Sequence, residues 1–468
     1  MLFALANRLY GLDRPSLWLD EGFSVQIAAL DRAHFFSLLL ADVHPPLYYL
    51  LLLGWTSVFG TGEVALRTLS VVLGVLTVPL LFLIGRMLAG TRAGLVAAVL
   101  LATSPLHVQY STEVRMYSLL MLVAALAIWG AVRFALAPGD ARAVRQGAIG
   151  FAAGAILCPA TQATGLFVLP PLSLLMLLGW LLAGRPRLAV RPFVVAHLAV
   201  GIFLAAWLPL LLSLALNVTD LANWIPRPSP LVVVEVVGSL LAQKLNELLP
   251  LILLGAVAAG LGAIALLGLW MWRRDPLRLG FALLVGGLPF ALTVGISFLV
   301  QPVFLTRIHL WSLLPIYVLM AVALTALPWP RLRKGCVAFV ALNILAGLYS
   351  YHHVWLRPDW RSAAQQLDAR LAPGDLLLAP PPVGLDALLG YYVPSLRTRL
   401  TSVPNLEALP AIMIAAEGRT VWVLSAQWHD RVPPERVAGV LAERHRPDPP
   451  ERYRGIALQR WTPVDAVR

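Results

Sequence analysis

"ALRTLSVVLGVLTVPLLFLIGRM" runs from Ala65 to Met87, and its only charges are Arg67 near one end and Arg86 near the other. The uncharged residues between them would rise about 27 Å as a helix, close to the ~30 Å hydrocarbon thickness of a bilayer. The apolar run is continuous. It lacks the alternation of an outer-membrane barrel strand, so a helix is the spanning form it predicts. Similar runs recur at 93–109, 114–135, 147–161, 164–183, 193–216, 248–272, 279–300, 308–327 and 335–355, which makes ten expected spans. Pro79, Pro209, Pro289 and Pro315 fall inside them and predict kinks. Of the 468 residues, 59% are hydrophobic and only 13% charged, against about a quarter charged in a soluble domain. The chain reads as a polytopic membrane protein. Cys158 and Cys336 both lie in expected spans, so neither reports a redox compartment and no disulfide is expected.

The net charge of +12 could point to nucleic acid, but its distribution does not. Connecting segments taken alternately, starting with Arg86 and Arg92, hold fourteen bases against only Asp140 and Asp275. The opposite side, up to residue 354, holds eight bases and ten acids. This asymmetry is topological and marks the basic side as cytoplasmic. Residues 1–64, the loops near 110–113, 217–247 and 301–307, and everything from 355 then face outward, at a cytoplasmic (inner) membrane. Met1–Leu12 is apolar but too short to span, and it lacks the basic start and cleavage site of a signal peptide. It reads as the last turns of a longer first helix.

Three regions are expected: a truncated first helix plus outer loop with interfacial helices (1–64), a helical bundle (65–355) and a soluble tail (356–468). In the tail, "DWRSAAQQLDARL" from Asp359 and "PERVAGVLAERHR" from Pro434 predict amphipathic helices. "GDLLLAP" from Gly374, "RTVWVLSA" from Arg419 and "YRGIALQRW" from Tyr453 predict short strands. The alternation suggests a small α/β domain. It has no Gly-rich phosphate loop and no Cys/His cluster, which favours a structural or acceptor-docking role over catalysis.

Four polar clusters fall on the outward face: Asp20-Glu21; "DVHPPLYY" from Asp42; "SPLHVQYSTEVRMYSLL" from Ser104; and "FLTRIHLW" from Phe304. Each has a plain reading. Asp20 and Glu21 could be solvated loop acids, His44 with its prolines a chain break before an interfacial helix, and Arg307 a snorkelling end charge. Glu113 and Arg115 could be interfacial charges; with Arg115 opening a helix, Glu113 and Tyr117 would stack at i, i+4. Together they suit one task. Arginine matches phosphate geometry with paired donors, and a carboxylate within hydrogen-bond reach can take a proton from an acceptor.

"WLDEGFS" (Trp18–Ser24), "HPPLYY" (His44–Tyr49), "STEVRMYSLL" (Ser111–Leu120), "FLTRIHLWSLLP" (Phe304–Pro315) and "RPDWRSAAQQL" (Arg357–Leu367) resemble, in order, the bacterial protein O-mannosyltransferase-like glycosyltransferases of the GT-C fold. This is glycosyltransferase family 39 and its relatives, which include aminoarabinose and galacturonic acid transferases. The resemblance spans nearly the whole chain; it departs at the missing start of the first span and at Ile308-His309, where relatives often show Arg-Tyr-Leu. It implies a GT-C-like bundle with an extracytoplasmic α/β domain, a polyprenyl-phosphate-linked sugar donor, and transfer to a lipid, glycan or protein acceptor on the outer face. On that likeness Asp20 would be the catalytic base and Glu21 would support it. His44 would shape the interfacial helices, Glu113, Arg115 and Tyr117 would line the donor pocket, and Arg307 would bind phosphate. A single displacement predicts inversion at the anomeric carbon. A divalent cation could sit by the acids, although His44 and His107 do not have metal-ligand spacing. The rival reading is a transporter or lipid flippase of envelope precursors, but internal repeats and mid-membrane charges are not evident. A non-catalytic envelope scaffold is a third.

Overall fold

The computed structural model describes residues 1–28, 44–221, 225, 227–355, 357–379, 385–403, 406–426 and 433–464. Asp42 and Val43, which open the second polar cluster, lie outside these. The described residues fall into two compact units. The first holds 1–10, 44–59 and 67–355; the second holds 11–28, 60–66 and 357–464. The expected 1–64 region is therefore shared between them.

Among the described residues, nine helices are long and apolar enough to cross a membrane. The 41-residue helix Glu63–Thr103 contains two of the expected spans, because Gly90 breaks it with φ 85°. A Cβ-bearing residue rarely adopts that angle. The halves fold back on each other: a Cβ on Gly85 would lie 2.9 Å from the Gly94 Cα. Small residues let membrane helices approach this closely. The second half stops at Thr103, short of the predicted 109. Ser104 caps a separate helix, Pro105–Ser111, by accepting from the His107 N–H at 3.1 Å.

The other spans form with shifted ends: Tyr117–Leu136, Ala141–Thr161, Ala163–Leu182, Arg187–Ser213 within a longer helix, Leu251–Trp272, Pro276–Leu299, Thr306–Ala326 and Pro330–Val354. Asp140 starts Ala141–Thr161 by accepting from the Arg142 and Ala143 N–H groups. Within Pro276–Leu299 the helix widens over Phe281–Gly287, just before Pro289. A proline supplies no N–H to the ladder, and a wider turn absorbs the resulting mismatch. Thr306–Ala326 is almost entirely buried, whereas little of Arg187–Ser213 is buried, with Ile202 71% exposed. Apolar side chains exposed along a span are lipid-facing surface.

The second unit contains a six-stranded mixed sheet. β1 (Leu376–Ala379), β2 (Leu400–Ser402), β3 (Val421–Ala426), β4 (His445–Pro447) and β6 (Ile456–Pro463) lie in the order β2-β1-β3-β6-β4, and β5 (Glu451–Tyr453) also pairs with β6. β1 runs parallel to β2 and β3, while β3 and β6 are antiparallel, with Val423 opposite Gln459. Leu376, Leu378, Val421 and Trp461 pack there against Val437 and Leu441 of helix Pro434–Leu441. The predicted strands and helices are present with shifted ends: the helix from Pro434 stops at Leu441, and His445 and Arg446, expected in it, belong to β4. Three-residue strands such as β2, β4 and β5 were not predicted, since so short a segment carries no periodic signal.

Close packing in the first unit joins Tyr117–Leu136 to Ala141–Thr161, where a Cβ on Gly130 would run into the backbone of Gly147 and Phe151. Gly130→Val should destabilise the bundle by about 1–3 kcal/mol or abolish folding. Gly139→Ala, in open space, should leave the melting temperature in detergent unchanged.

Candidate active site

In the first unit the chain turns sharply after helix Pro105–Ser111. Residues 112–116 are not helical, and the Arg115 N–H donates to the Glu113 carbonyl at 2.8 Å, an i, i+2 closure. The expected helical stacking of Glu113 on Tyr117 is therefore replaced. Glu113 accepts from Gln109 Nε2 at 3.1 Å, and the Tyr117 ring meets Tyr110 edge-on at 5.0 Å. Ser118 Oγ, donating to the Tyr110 carbonyl at 2.9 Å, ties the start of the next helix back to this one. The turn buries both charges: Glu113 is fully buried and Arg115 is 4% exposed.

Arg115 reaches the residues of "HPPLYY". Its Nη2 donates to His44 Nε2 at 3.0 Å and its Nη1 to the Tyr49 hydroxyl at 3.3 Å. A guanidinium only donates, so His44 accepts on Nε2 and carries its proton on Nδ1. Ser70 supports the cluster from the long helix, bonding the Tyr48 hydroxyl at 2.9 Å and donating to the Arg115 carbonyl at 3.3 Å. The fold thus brings His44, Glu113, Arg115 and Tyr117 close to one turn, with Tyr48, Tyr49, Ser70 and Gln109 beside them. Tyr48 and Tyr49 read from sequence as interfacial residues; their adjacency to His44 was the available signal. Arg307, half-buried, opens Thr306–Ser312, and His309 two residues on is buried, bonding Thr293 Oγ1 at 3.0 Å. A second buried pair lies nearby in sequence. Arg8, fully buried, donates through Nη2 to His107 Nδ1 at 2.6 Å, and through Nη1 to the Ala4 and Ala102 carbonyls.

In the second unit Asp20 and Glu21 occupy the first turn of helix Leu19–Ala28. They have different surroundings: Asp20 is half-buried, and Glu21 is fully buried. Glu21 Oε2 accepts from the Trp18 N–H at 3.2 Å, which is the reciprocal half of a capping box. The same oxygen accepts from Arg357 Nη1 at 2.8 Å. Ser16 Oγ donates to the Pro358 carbonyl at 2.6 Å and accepts from the Trp360 N–H at 3.1 Å. The Leu17 N–H donates to the Tyr392 hydroxyl at 2.6 Å, and that hydroxyl donates to Glu63 Oε1 at 2.6 Å. Arg361 pairs with the other Glu63 oxygen. Burial, with the Glu63 carboxylate beside it, pushes the Tyr392 phenol up, so it remains a donor. Arg357 stands in the quoted "RPDW" motif, but nothing local in the sequence links it to Glu21, 336 positions away. As for a cation at the acids, among the described residues no group of three or more His, Cys, Asp or Glu could hold a metal ion. No step is drawn through one.

Residues 43–212 match the family of dolichyl-phosphate-mannose-protein mannosyltransferases. The solved structures similar to this chain include ArnT from Cupriavidus metallidurans in its apo state. That likeness has TM-score 0.63 and 17% identity, over 98% of this chain and 97% of that one. The same protein bound to undecaprenyl phosphate gives 0.60 and 16%, over the same shares. The archaeal oligosaccharyltransferase AglB from Archaeoglobus fulgidus, in complex with an inhibitory peptide and a dolichol-phosphate, gives 0.54 and 12%, over 91% and 68%. Among curated proteins none matches by sequence. The fold is GT-C, with a polytopic helical bundle and a small C-terminal α/β domain. The fold, and the family match over part of the chain, point the same way, to a membrane glycosyltransferase of the GT-C type. A transporter or flippase finds no support in either.

Removing Arg357 alone would strand the Glu21 charge in a fully buried site. Arg357→Leu should cost about 3–5 kcal/mol of stability, whereas Glu21→Leu with Arg357→Leu should cost far less. Thermal unfolding of wild type, both single variants and the double variant measures the coupling.

Proposed function

We propose that this glycosyltransferase moves a sugar from a polyprenyl-phosphate-linked donor to an envelope lipid, glycan or protein acceptor, on the outer face of the cytoplasmic membrane. The observation that carries the reading is the buried Arg115, held by His44 and Tyr49 beside Glu113, in a fold shared with a protein solved with undecaprenyl phosphate. A guanidinium held in place before the substrate arrives can stabilise a phosphate's charge at little reorganisation cost. Arg307 would share that phosphate, Tyr117 and Glu113 would shape the donor cavity, and His44 would hold Arg115 in place.

Asp20, half-buried in the first turn of its helix, is assigned as the general base. It takes the proton of the acceptor hydroxyl or amine as the acceptor's lone pair forms the new bond to the anomeric carbon. The bond from that carbon to the phosphate oxygen breaks, and its electron pair leaves with polyprenyl phosphate, whose charge the arginines stabilise. One displacement inverts the anomeric configuration. Glu21, committed to Trp18 and Arg357, supports Asp20 by capping its helix and does not itself exchange protons. The positive-inside reading and the C-terminal domain's outward position belong to the same proposal.

Asp20→Asn should lower kcat by about 100-fold or more with a polyprenyl-phosphate sugar donor, while Asp20→Glu should retain part of the activity. Arg115→Ala should lower kcat/KM by about 100-fold, and Arg115→Lys by less. NMR of the product should show inversion. Retained configuration, or wild-type turnover by Asp20→Asn, defeats the mechanism.

A further inference from the structure

We infer that the C-terminal domain holds Asp20 in its working orientation, with Tyr392, Ser16 and Arg357 acting as positioning residues for the base. The inference rests on the assignment of Asp20 above. Asp20 is the second residue of helix Leu19–Ala28, so its direction is set by how that helix begins. Several hydrogen bonds at the beginning reach a residue more than 330 positions away, or a carboxylate locked by one. At position −4 from Asp20, the Ser16 hydroxyl is held between the Pro358 carbonyl and the Trp360 N–H. At −3, the Leu17 N–H is held by Tyr392. At −2, the Trp18 N–H is held by Glu21, and at +1 Glu21 itself is held by Arg357.

These contacts bracket the acid on both sides along the chain. The contacts concentrate on Ser16, Leu17, Trp18 and Glu21, four residues around one carboxylate. Tyr392 is the centre of the arrangement. Its hydroxyl accepts from Leu17 and donates to Glu63, and Glu63 is fixed from its other oxygen by Arg361. The oxygen that orients Leu17 is therefore itself prevented from rotating. A base displaced by ~1 Å from its near-attack position can lose about 100-fold in rate. Helix Trp360–Arg370 starts at the residue that bonds Ser16, so the folded state of the tail is transmitted directly to the start of the helix that carries Asp20. This gives the tail a part in the reaction beyond a structural or acceptor-docking role.

The test uses the full chain in proteoliposomes, with a polyprenyl-phosphate sugar donor, and compares Tyr392→Phe, Ser16→Ala and Arg444→Ala. Arg444 pairs with Glu417 at the exposed surface of the same domain and serves as the control. The expected result is a kcat about 10- to 100-fold lower for Tyr392→Phe and Ser16→Ala per folded molecule, with the donor KM within about twofold of wild type. Arg444→Ala should keep wild-type kcat. Hydrogen–deuterium exchange should show faster exchange at 17–24 in the two positioning variants. If either of them folds and turns over at the wild-type rate, the positioning role is wrong. Should Tyr392→Phe not fold, Ser16→Ala, which loses one hydroxyl, decides alone. Asp20→Asn, assayed alongside, separates the two ideas. If it is as active as wild type, Asp20 is not the base and the inference falls with that reading. If it is inactive while Tyr392→Phe and Ser16→Ala are normal, only the positioning claim fails.

Discussion

Hydrocarbon supplies no hydrogen-bonding partners, so every main-chain group and every charge in the first unit must find a partner within the protein or sit at a helix end. That constraint accounts for the placing of most of its special residues. Gly90 breaks the 41-residue helix where a side chain would be strained, and the small Gly85 and Gly94 let the two halves close up. Ser104 starts a new helix where the membrane helix has run out, by capping it. The five residues from Thr112 to Met116 reverse the chain and bury two opposite charges. Burying Glu113 and Arg115 costs desolvation, and the hydrogen bonds from Gln109 to Glu113 and from Arg115 to His44 and Tyr49 help to offset it.

The two neighbouring acids of one dipeptide have different surroundings. In the first turn of a helix adjacent side chains diverge by roughly 100°. Glu21 turns toward Trp18 and Arg357 and is consumed in a cap and an ion pair. Asp20 turns away from that pair and stays half-exposed. Both acids also gain from the helix N-terminus, whose unpaired N–H groups favour negative charge.

Much of the fold was legible in the primary structure because membrane helices announce themselves by length and continuous apolarity. The ten runs form helices, and errors fall at the ends, where caps rather than hydropathy decide. Helix 93–109 stops at Thr103 because of Ser104, and helix 114–135 starts at Tyr117 because the Glu113 carbonyl is taken by Arg115. In the tail, the longer strands and amphipathic helices showed their periods, while the three-residue strands β2, β4 and β5 had too few residues to show one. The candidate residues His44, Glu113, Arg115 and Tyr117 stand close together, but the partners that hold them, Ser70 and Gln109, are ordinary polar residues with no local signature.

What the amino-acid order determined by itself is the class of molecule: apolar runs long enough to cross a bilayer, charge segregated between alternate loops, and a tail with α/β periodicity. These are local quantities, summed over a window, and no distant residue changes them. Only the tertiary structure decided which of Asp20 and Glu21 is spent on the fold, and that Arg357, Tyr392 and Glu63 secure the start of the helix that carries Asp20. Those roles depend on hydrogen bonds of 2.6–2.8 Å between residues hundreds of positions apart, and separation along the chain carries no information about such contacts until the chain has folded.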